Sequence, residues 1–259
     1  MDIYERITKL WRGCCVASAA DINMRLENFR ILFAYNSGKI ENGDISYDDT
    51  REIFENGRVL NFSGSPRALF ELSNQKMCYE LLLPRLALSE PVTIELVKDV
   101  HAVLTGGTYD ERRYVELGER PGEFKRHDYV VGLSDVGSFP EDVEDDVAAL
   151  LSELSDFTDF AGDALLTAAA YFHARFEYIH PFADGNGRFG RTLLNYFLMI
   201  NDHPPMVIYD NDKAEYYDAL AAYDASEDVL PMSTFLKMQT VKTWEKALER
   251  ELRRENGEK

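Results

Sequence analysis

Apolar residues recur three and four positions apart over much of this chain, which is the spacing of one face of a helix. Between 18 and 36, Ile22, Leu26, Phe29 and Phe33 mark such a face. A second run, 66–83, opens with Pro66, whose fixed φ suits a first helical turn. A third starts at Ser89-Glu90-Pro91 and continues through Ile94, Leu96, Val97, Val100 and Leu104, with Gly106-Gly107 as its stop. Residues 141–153 read as an acidic, solvated helix face, and 163–179 and 188–202 as two apolar helical runs. The stretch 208–224 is helical beyond Asp212, and 231–250 forms a last helix before a charged tail. From 108 to 132 the period is lost. Gly118, Pro121 and Gly122 punctuate polar and aromatic residues there, which predicts a β-hairpin or loop. The pattern as a whole predicts a mostly α fold with a small hairpin.

The loop between the two apolar runs carries the chemistry. His180-Pro181-Phe182-Ala183-Asp184-Gly185-Asn186-Gly187-Arg188-Phe189-Gly190-Arg191 holds an imidazole, a carboxylate, an amide, two guanidiniums and three glycines within twelve residues. Glycines bare backbone N–H groups that can hold phosphate oxygens, and the start of the following helix adds partial positive charge. Arg188 and Arg191, three apart, fall on one helix face and can reach one polyanion. Asp184 suits a hard cation such as Mg²⁺, and His180 is the group that exchanges a proton near neutrality. Together they describe a nucleotide-phosphate site with a general base. A loop and a helix cap with no chemistry would need this many suitable residues to coincide by chance.

Length and charge narrow the field. At 259 residues the chain can bury a sizeable core as one large domain or two small ones. With 46 acidic and 28 basic residues the formal net charge is −18, which argues against nucleic acid or an anionic membrane as partner. Cys14, Cys15 and Cys78 are odd in number and irregular in spacing, which fits reduced thiols in the cytoplasm. No run reaches membrane-span length. The small apolar stretch 13–20 is too short for a leader and follows Asp2 and Glu5.

The loop matches the pattern His-x-Phe-x-(Asp/Glu)-Gly-Asn-Gly-Arg-x-x-Arg at every specified position, and so resembles the Fic family of protein adenylyltransferases. Doc-type kinases are similar but usually carry alanine and lysine where Gly185 and Gly187 stand. The resemblance implies a Fic fold: a helical bundle around a helix–loop–helix active site, with a β-hairpin flap. It implies transfer of AMP from ATP to a Ser, Thr or Tyr hydroxyl of a target protein. His180 would be the base, Asp184 the Mg²⁺ ligand, and Gly185, Asn186 and Gly187 the anion hole. Arg188 and Arg191 would take the β- and γ-phosphates, and Phe182 would be a buried anchor. Gly122, Glu123, Phe124 and Lys125 would belong to the flap that presents the target.

A second tract, Ser37-Gly38-Lys39-Ile40-Glu41-Asn42, resembles the family's inhibitory motif, (Ser/Thr)-x-x-x-Glu-(Gly/Asn). The resemblance pairs Glu41 with Arg191, and Ser37 and Asn42 complete the motif; read without it, 37–42 is a helix end. Tyr217 and Asp224 are the adenosine candidates by position, although relatives often carry asparagine in place of Asp224. His101 and His173 read as packing residues, His203 as part of a turn, and His127 as a residue of the flap stretch. The implied organisation is 1–88 as an N-terminal helical region with the inhibitory motif, 89–240 as the catalytic core and 241–259 as helix end and tail. Two other readings stand beside AMP transfer: hydrolytic removal of AMP with Glu41 orienting a water, and a regulatory module that binds nucleotide without turnover. The oligomeric state is open, a homo-oligomer included.

Overall fold

A computed structural model describes residues 1–14, 18–60, 62, 64–131, 134–156 and 163–255. Helix α1 (Ile3–Gly13) opens on a capping box in which Asp2 accepts the Glu5 N–H and Glu5 accepts the Asp2 N–H, each at 2.8 Å. The predicted 18–36 run is two helices, α2 (Ala19–Arg25) and α3 (Glu27–Glu41). They break at Leu26, whose ψ of 11° leaves the helical range while its side chain is buried with Trp11 and Ile22. Helix α4 (Tyr47–Asn56), capped by Ser46, has no counterpart among the predicted helices. Helix α5 (Pro66–Ala87) starts where Pro66 suggested, with Ser65 as cap, and runs four residues beyond its predicted end. Helix α6 (Ile94–Leu104) begins later than Ser89-Glu90-Pro91 because the Thr93 hydroxyl supplies the cap, accepting the Leu96 N–H at 3.1 Å.

The 108–132 stretch is mixed. It holds one π-helical turn, Arg112–Glu116, and then β1 (Tyr129–Val131), which pairs antiparallel with β2 (Ser134–Val136), Tyr129 opposite Val136. Gly122–Lys125 therefore lie ahead of the hairpin and not in it. Their backbone donors are committed elsewhere: the Gly122 N–H to His101 Nδ1 and the Lys125 N–H to the Pro181 carbonyl, both at 2.9 Å.

The chain continues as α7 (Val143–Asp156), α8 (Ala164–Ile179), α9 (Asn186–Ile200), α10 (Lys213–Ser226) and α11 (Leu230–Glu255). The division expected at 240 falls inside α11. Twelve of the fifteen residues of α9 are buried, so it is the central helix of the bundle. Phe189, Leu193 and Tyr196 on α9 pack with Phe172 and Phe176 on α8 in the main core, which also takes in residues of α6, α7, α10 and α11. A second cluster, with Ile31, Ala34, Ile45, Ile53, Phe54 and Leu72, clamps α3 against α4 and α5. Each fully buried side chain of this kind is worth about 1.5–3 kcal/mol. The last turn of α3 is thereby fixed beside α9. Among the described residues no helix is long and apolar enough to cross a membrane.

Candidate functional site

The site forms where α8 ends and α9 begins. His180 caps α8 in the left-handed region (φ 49°, ψ 60°), which turns the chain away from the helix axis while its N–H still reaches the Phe176 carbonyl at 3.1 Å. Gly185 (φ 80°) makes the opposite turn into α9, at a backbone angle that favours glycine. Asn186 closes the loop between them. Its Nδ2 donates to the Phe182 carbonyl at 2.7 Å and its Oδ1 accepts the Phe182 N–H at 2.9 Å. Phe182 is fully buried and stacks on the His101 ring, centroids 3.5 Å apart and planes 4° from parallel. Its anchoring role follows from that contact.

His101 does more than pack. Its Nδ1 accepts the Gly122 N–H, so its Nε2 carries the proton and donates to the Asp184 carbonyl at 2.9 Å. Burial holds this ring neutral, at a pKa of about 3. One imidazole thus ties the 122–125 tract to the 180–187 loop. Apolar helical spacing gave no sign of this role. His173 is held likewise at about 3 by burial, then by the Arg191 charge, and its Nε2 meets the Tyr216 hydroxyl at 2.9 Å.

The His180 ring hydrogen-bonds the Glu177 carbonyl and is held down to about 4, first by burial and then by the Lys125 ammonium, while Glu41 and Asp184 pull the other way. The ring is neutral at physiological pH and has a lone pair to offer. Lys125 is buried beside it, with Phe124 against Phe182, centroids 5.5 Å apart. Ser138 N–H bonds the Ile179 carbonyl at 2.9 Å, so chain on both sides of the hairpin is pinned to the catalytic loop.

Arg191 is 1% exposed and faces the end of α3. Its Nε donates to Ser37 Oγ at 3.1 Å, and Nη2 donates to the Ser37 carbonyl and to Glu41 Oε1, both at 2.9 Å. Among the described residues its Nη1 is buried without a hydrogen-bond partner. A methyl group at position 187 would collide with Glu41 Oε1, so glycine there permits the approach of the carboxylate.

Arg188 points to α5, where its Nη1 lies 3.0 Å from Glu71 Oε1, an ion contact without hydrogen-bond alignment. Glu71 also accepts Arg67 Nε and Asn42 Nδ2 at 2.9 Å each. Asp184 takes the Gly185 N–H on Oδ1 at 2.8 Å and Arg67 Nη2 on Oδ2 at 2.7 Å. Arg113, in the π-helical turn, donates to the Ala183 carbonyl at 3.2 Å. These groups line an open cavity of about 620 Å³ together with His180 and the 185–187 backbone. Arg67, Glu71 and Arg113 escaped the sequence reading. The signal available was the i,i+4 spacing of Arg67 and Glu71, which marks a helix pair but not the face it serves.

Tyr217 and Asp224 lie two turns apart on α10 and are not part of that cavity wall. Tyr217 is 42% exposed beside the buried Tyr216, and Asp224 is exposed. Glu177 stands between α8 and α9, its Oε1 buried without a partner among the described residues; burial pushes its carboxyl up to about 8.

Of the three carboxylates that line the cavity, Glu41 and Glu71 face the buried Arg191 and Arg188, which leaves Asp184 as the candidate for a divalent cation of the Mg²⁺ type, which takes one or two protein carboxylates and completes its shell with phosphates and water. No group of three or more His, Cys, Asp and Glu is placed to hold an ion among the described residues, so the remaining ligands would come with the nucleotide.

The fold and the loop define a class: a helical bundle that presents a glycine-rich anion cradle at the head of its most buried helix. Residues 91–198 match the Fic/DOC family. A protein adenylyltransferase fic-1 of Caenorhabditis briggsae is 30% identical over 192 residues, 73% of this chain and 36% of that protein. A protein adenylyltransferase Fic of Drosophila willistoni is 28% identical over 212 residues, 81% of this chain and 40% of that one. Among solved structures, a Fic-domain-containing signalling protein of Bacteroides thetaiotaomicron superposes with a TM-score of 0.79 at 20% identity, over 100% of this chain and 98% of the other. Fic-1 of C. elegans gives 0.75 at 21%, over 98% and 72%. Residues 91–198 of this chain are thus a Fic/DOC family domain. It spans well under half the length of the curated relatives.

Proposed function

We propose that this chain is a protein adenylyltransferase restrained by Glu41. The observation that carries the reading is the conjunction at α8–α9: a neutral, half-buried imidazole on the cavity wall, a glycine-opened helix N-terminus and a buried arginine held by a carboxylate from α3. The names of the relatives and the loop pattern supply the reaction class.

His180 Nε2 or Nδ1, whichever is not engaged with Glu177, accepts the proton of the target's Ser, Thr or Tyr hydroxyl. That oxygen forms the new bond to the α-phosphorus of ATP. The bond from the α-phosphorus to the bridging oxygen breaks, and pyrophosphate leaves with the electron pair. Asn186 and Gly187 offer N–H groups to the phosphates, while the Gly185 N–H is taken by Asp184 and that residue serves the anion hole by its turn, and Arg188 and Arg191 neutralise the charge of the leaving group. Asp184 would hold Mg²⁺, which when bound screens the phosphate oxygens. Tyr217 is the candidate platform for adenine, supported by its position on α10 near Arg191, with Asp224 on the same face. The tract 122–125 holds the flap to the loop, and strands β1 and β2 would take the target's backbone.

While Glu41 occupies Arg191, the γ-phosphate lacks its partner and the α-phosphate is not presented for in-line attack. The same carboxylate lines the cavity with His180, which favours a second reaction of this site, hydrolysis of AMP from a modified protein with Glu41 orienting the water. The free thiols of Cys14 and Cys78 accord with a cytoplasmic setting; Cys15 lies outside the described residues. Incubation with α-labelled ATP and lysate separates the readings. Label on protein supports transfer, release of AMP from pre-labelled protein supports hydrolysis, and nucleotide binding with neither outcome leaves a binding module.

A further inference from the structure

Arg67 stands on the first turn of α5 and reaches across to the catalytic loop. Its Nη2 donates to Asp184 Oδ2 at 2.7 Å while its Nε donates to Glu71 Oε1 at 2.9 Å. Glu71 is itself immobilised. It is buried, faces Arg188 at 3.0 Å, and accepts Asn42 Nδ2 on its other oxygen at 2.9 Å. The Glu71 contact therefore fixes one edge of the guanidinium and aims the other at Asp184. The second oxygen of Asp184 accepts the Gly185 N–H at 2.8 Å. Each carboxylate oxygen thus carries one donor and keeps a further lone pair, but a divalent cation seated on Oδ2 would lie against the Arg67 guanidinium, and like-charge repulsion favours the departure of one donor. The Gly185 N–H belongs to the loop backbone and cannot leave without unfolding the start of α9. The Arg67 side chain is 41% exposed and can turn into solvent, whereas that of Asp184 is 17% exposed.

Resting on the reading that Asp184 takes the cation of the nucleotide, we propose that Arg67 is a positioning residue that occupies the cation's seat on Asp184 and sets the Mg²⁺ concentration at which nucleotide binds. The exchange is cation for cation. The carboxylate in this enclosed loop is never left uncompensated, and with no metal present its Oδ2 stays turned into the cavity. No covalent bond changes. The device is separate from the Glu41–Arg191 pair, although Asn42 joins the two through Glu71.

The test is calorimetric titration of ADP into the full chain over a series of Mg²⁺ concentrations, for wild type, Arg67→Gln, Arg67→Lys and Asp184→Asn, each first shown folded by circular dichroism. In Arg67→Gln the half-saturating Mg²⁺ should fall by about fivefold, the scale of a lost partly exposed ion pair with one short charged hydrogen bond. Arg67→Lys should lie between it and wild type. An unchanged Mg²⁺ dependence in Arg67→Gln, with Asp184→Asn insensitive to Mg²⁺, overturns the proposal and leaves the metal reading intact. A wild-type Mg²⁺ response in Asp184→Asn overturns the metal reading and the proposal with it. Weaker ADP binding by Arg67→Gln in EDTA, with its Mg²⁺ dependence unmoved, makes Arg67 a phosphate ligand and also overturns the proposal.

Discussion

The His180 ring has already given up its proton at neutral pH. Burial and the Lys125 charge hold it near 4, so the free protein presents a lone pair throughout the neutral range. The approach of anionic phosphates raises that value and makes the ring a stronger acceptor at the moment it is needed. Because kcat/KM reports the free enzyme, its dependence on pH for ATP should stay level from pH 7 down to about 5.5. A fall centred on 6.5 would mean that the ring is solvated like a free imidazole. His180→Ala should lose labelling by roughly a hundredfold or more while ADP affinity, read by calorimetry, stays near wild type, since the ring acts on the hydroxyl. Undiminished labelling would remove His180 from the chemistry.

On the proposed function, the pairing of α3 with α9 is the switch of the molecule. Three hydrogen bonds bind Arg191 to Ser37 and Glu41, and the cluster of Ile31, Ala34, Ile53 and Phe54 keeps α3 seated whether or not they are made. Glu41→Gly should therefore raise labelling without unfolding α3. A gain of roughly tenfold in turnover corresponds to removal of about 1.4 kcal/mol of competing stabilisation. Arg191→Ala should not reproduce it, because the γ-phosphate then loses its partner. Equal labelling by wild type and Glu41→Gly would reduce the contact to a helix end. Much of this arrangement could be read from residues. The run 163–179, the glycine loop and the run 188–202 became α8, the cradle and α9, because a local spacing of apolar residues and glycines dictates local structure. What escaped was set by contacts distant in sequence. Asp2 and Glu5, read only as acids ahead of an apolar stretch, cap α1. Leu26 breaks a continuous pattern because it is drawn into a pocket with Trp11 and Ile22. Arg67 and Glu71 reach the site only through the packing of α5 on α9.

Considered whole, the molecule folds around imidazoles it cannot protonate. His101 and His173 are held at about 3, His180 and His203 at about 4, in each case chiefly by burial. The unfolded chain binds their protons near 6.5 and the folded one does not, so stability is full above about 6.5 and is lost as pH falls toward 4. Glu177, raised to about 8, works in the other direction between its ordinary value of 4.5 and 8, and Asp224, also raised by burial, joins it, but they are two groups against four. The melting temperature by calorimetry should drop from pH 7 to pH 4, most steeply below 6. A flat curve down to pH 5 would show that the folded state takes up protons at these rings without cost.

The backbone under His180 has a consequence for how inactive forms of this protein are made. At φ 49° a side chain of any kind is strained, by about 1 kcal/mol or more, and glycine is not. Alanine and glycine at 180 both delete the imidazole, yet only glycine relaxes the turn. His180→Gly should melt above His180→Ala by several degrees, despite glycine's greater freedom in the unfolded chain. If alanine proves the more stable, the turn at 180 is not strained. On the proposed function the chemistry requires histidine where stability alone would choose glycine, and the inactive variant that best preserves the fold is His180→Gly.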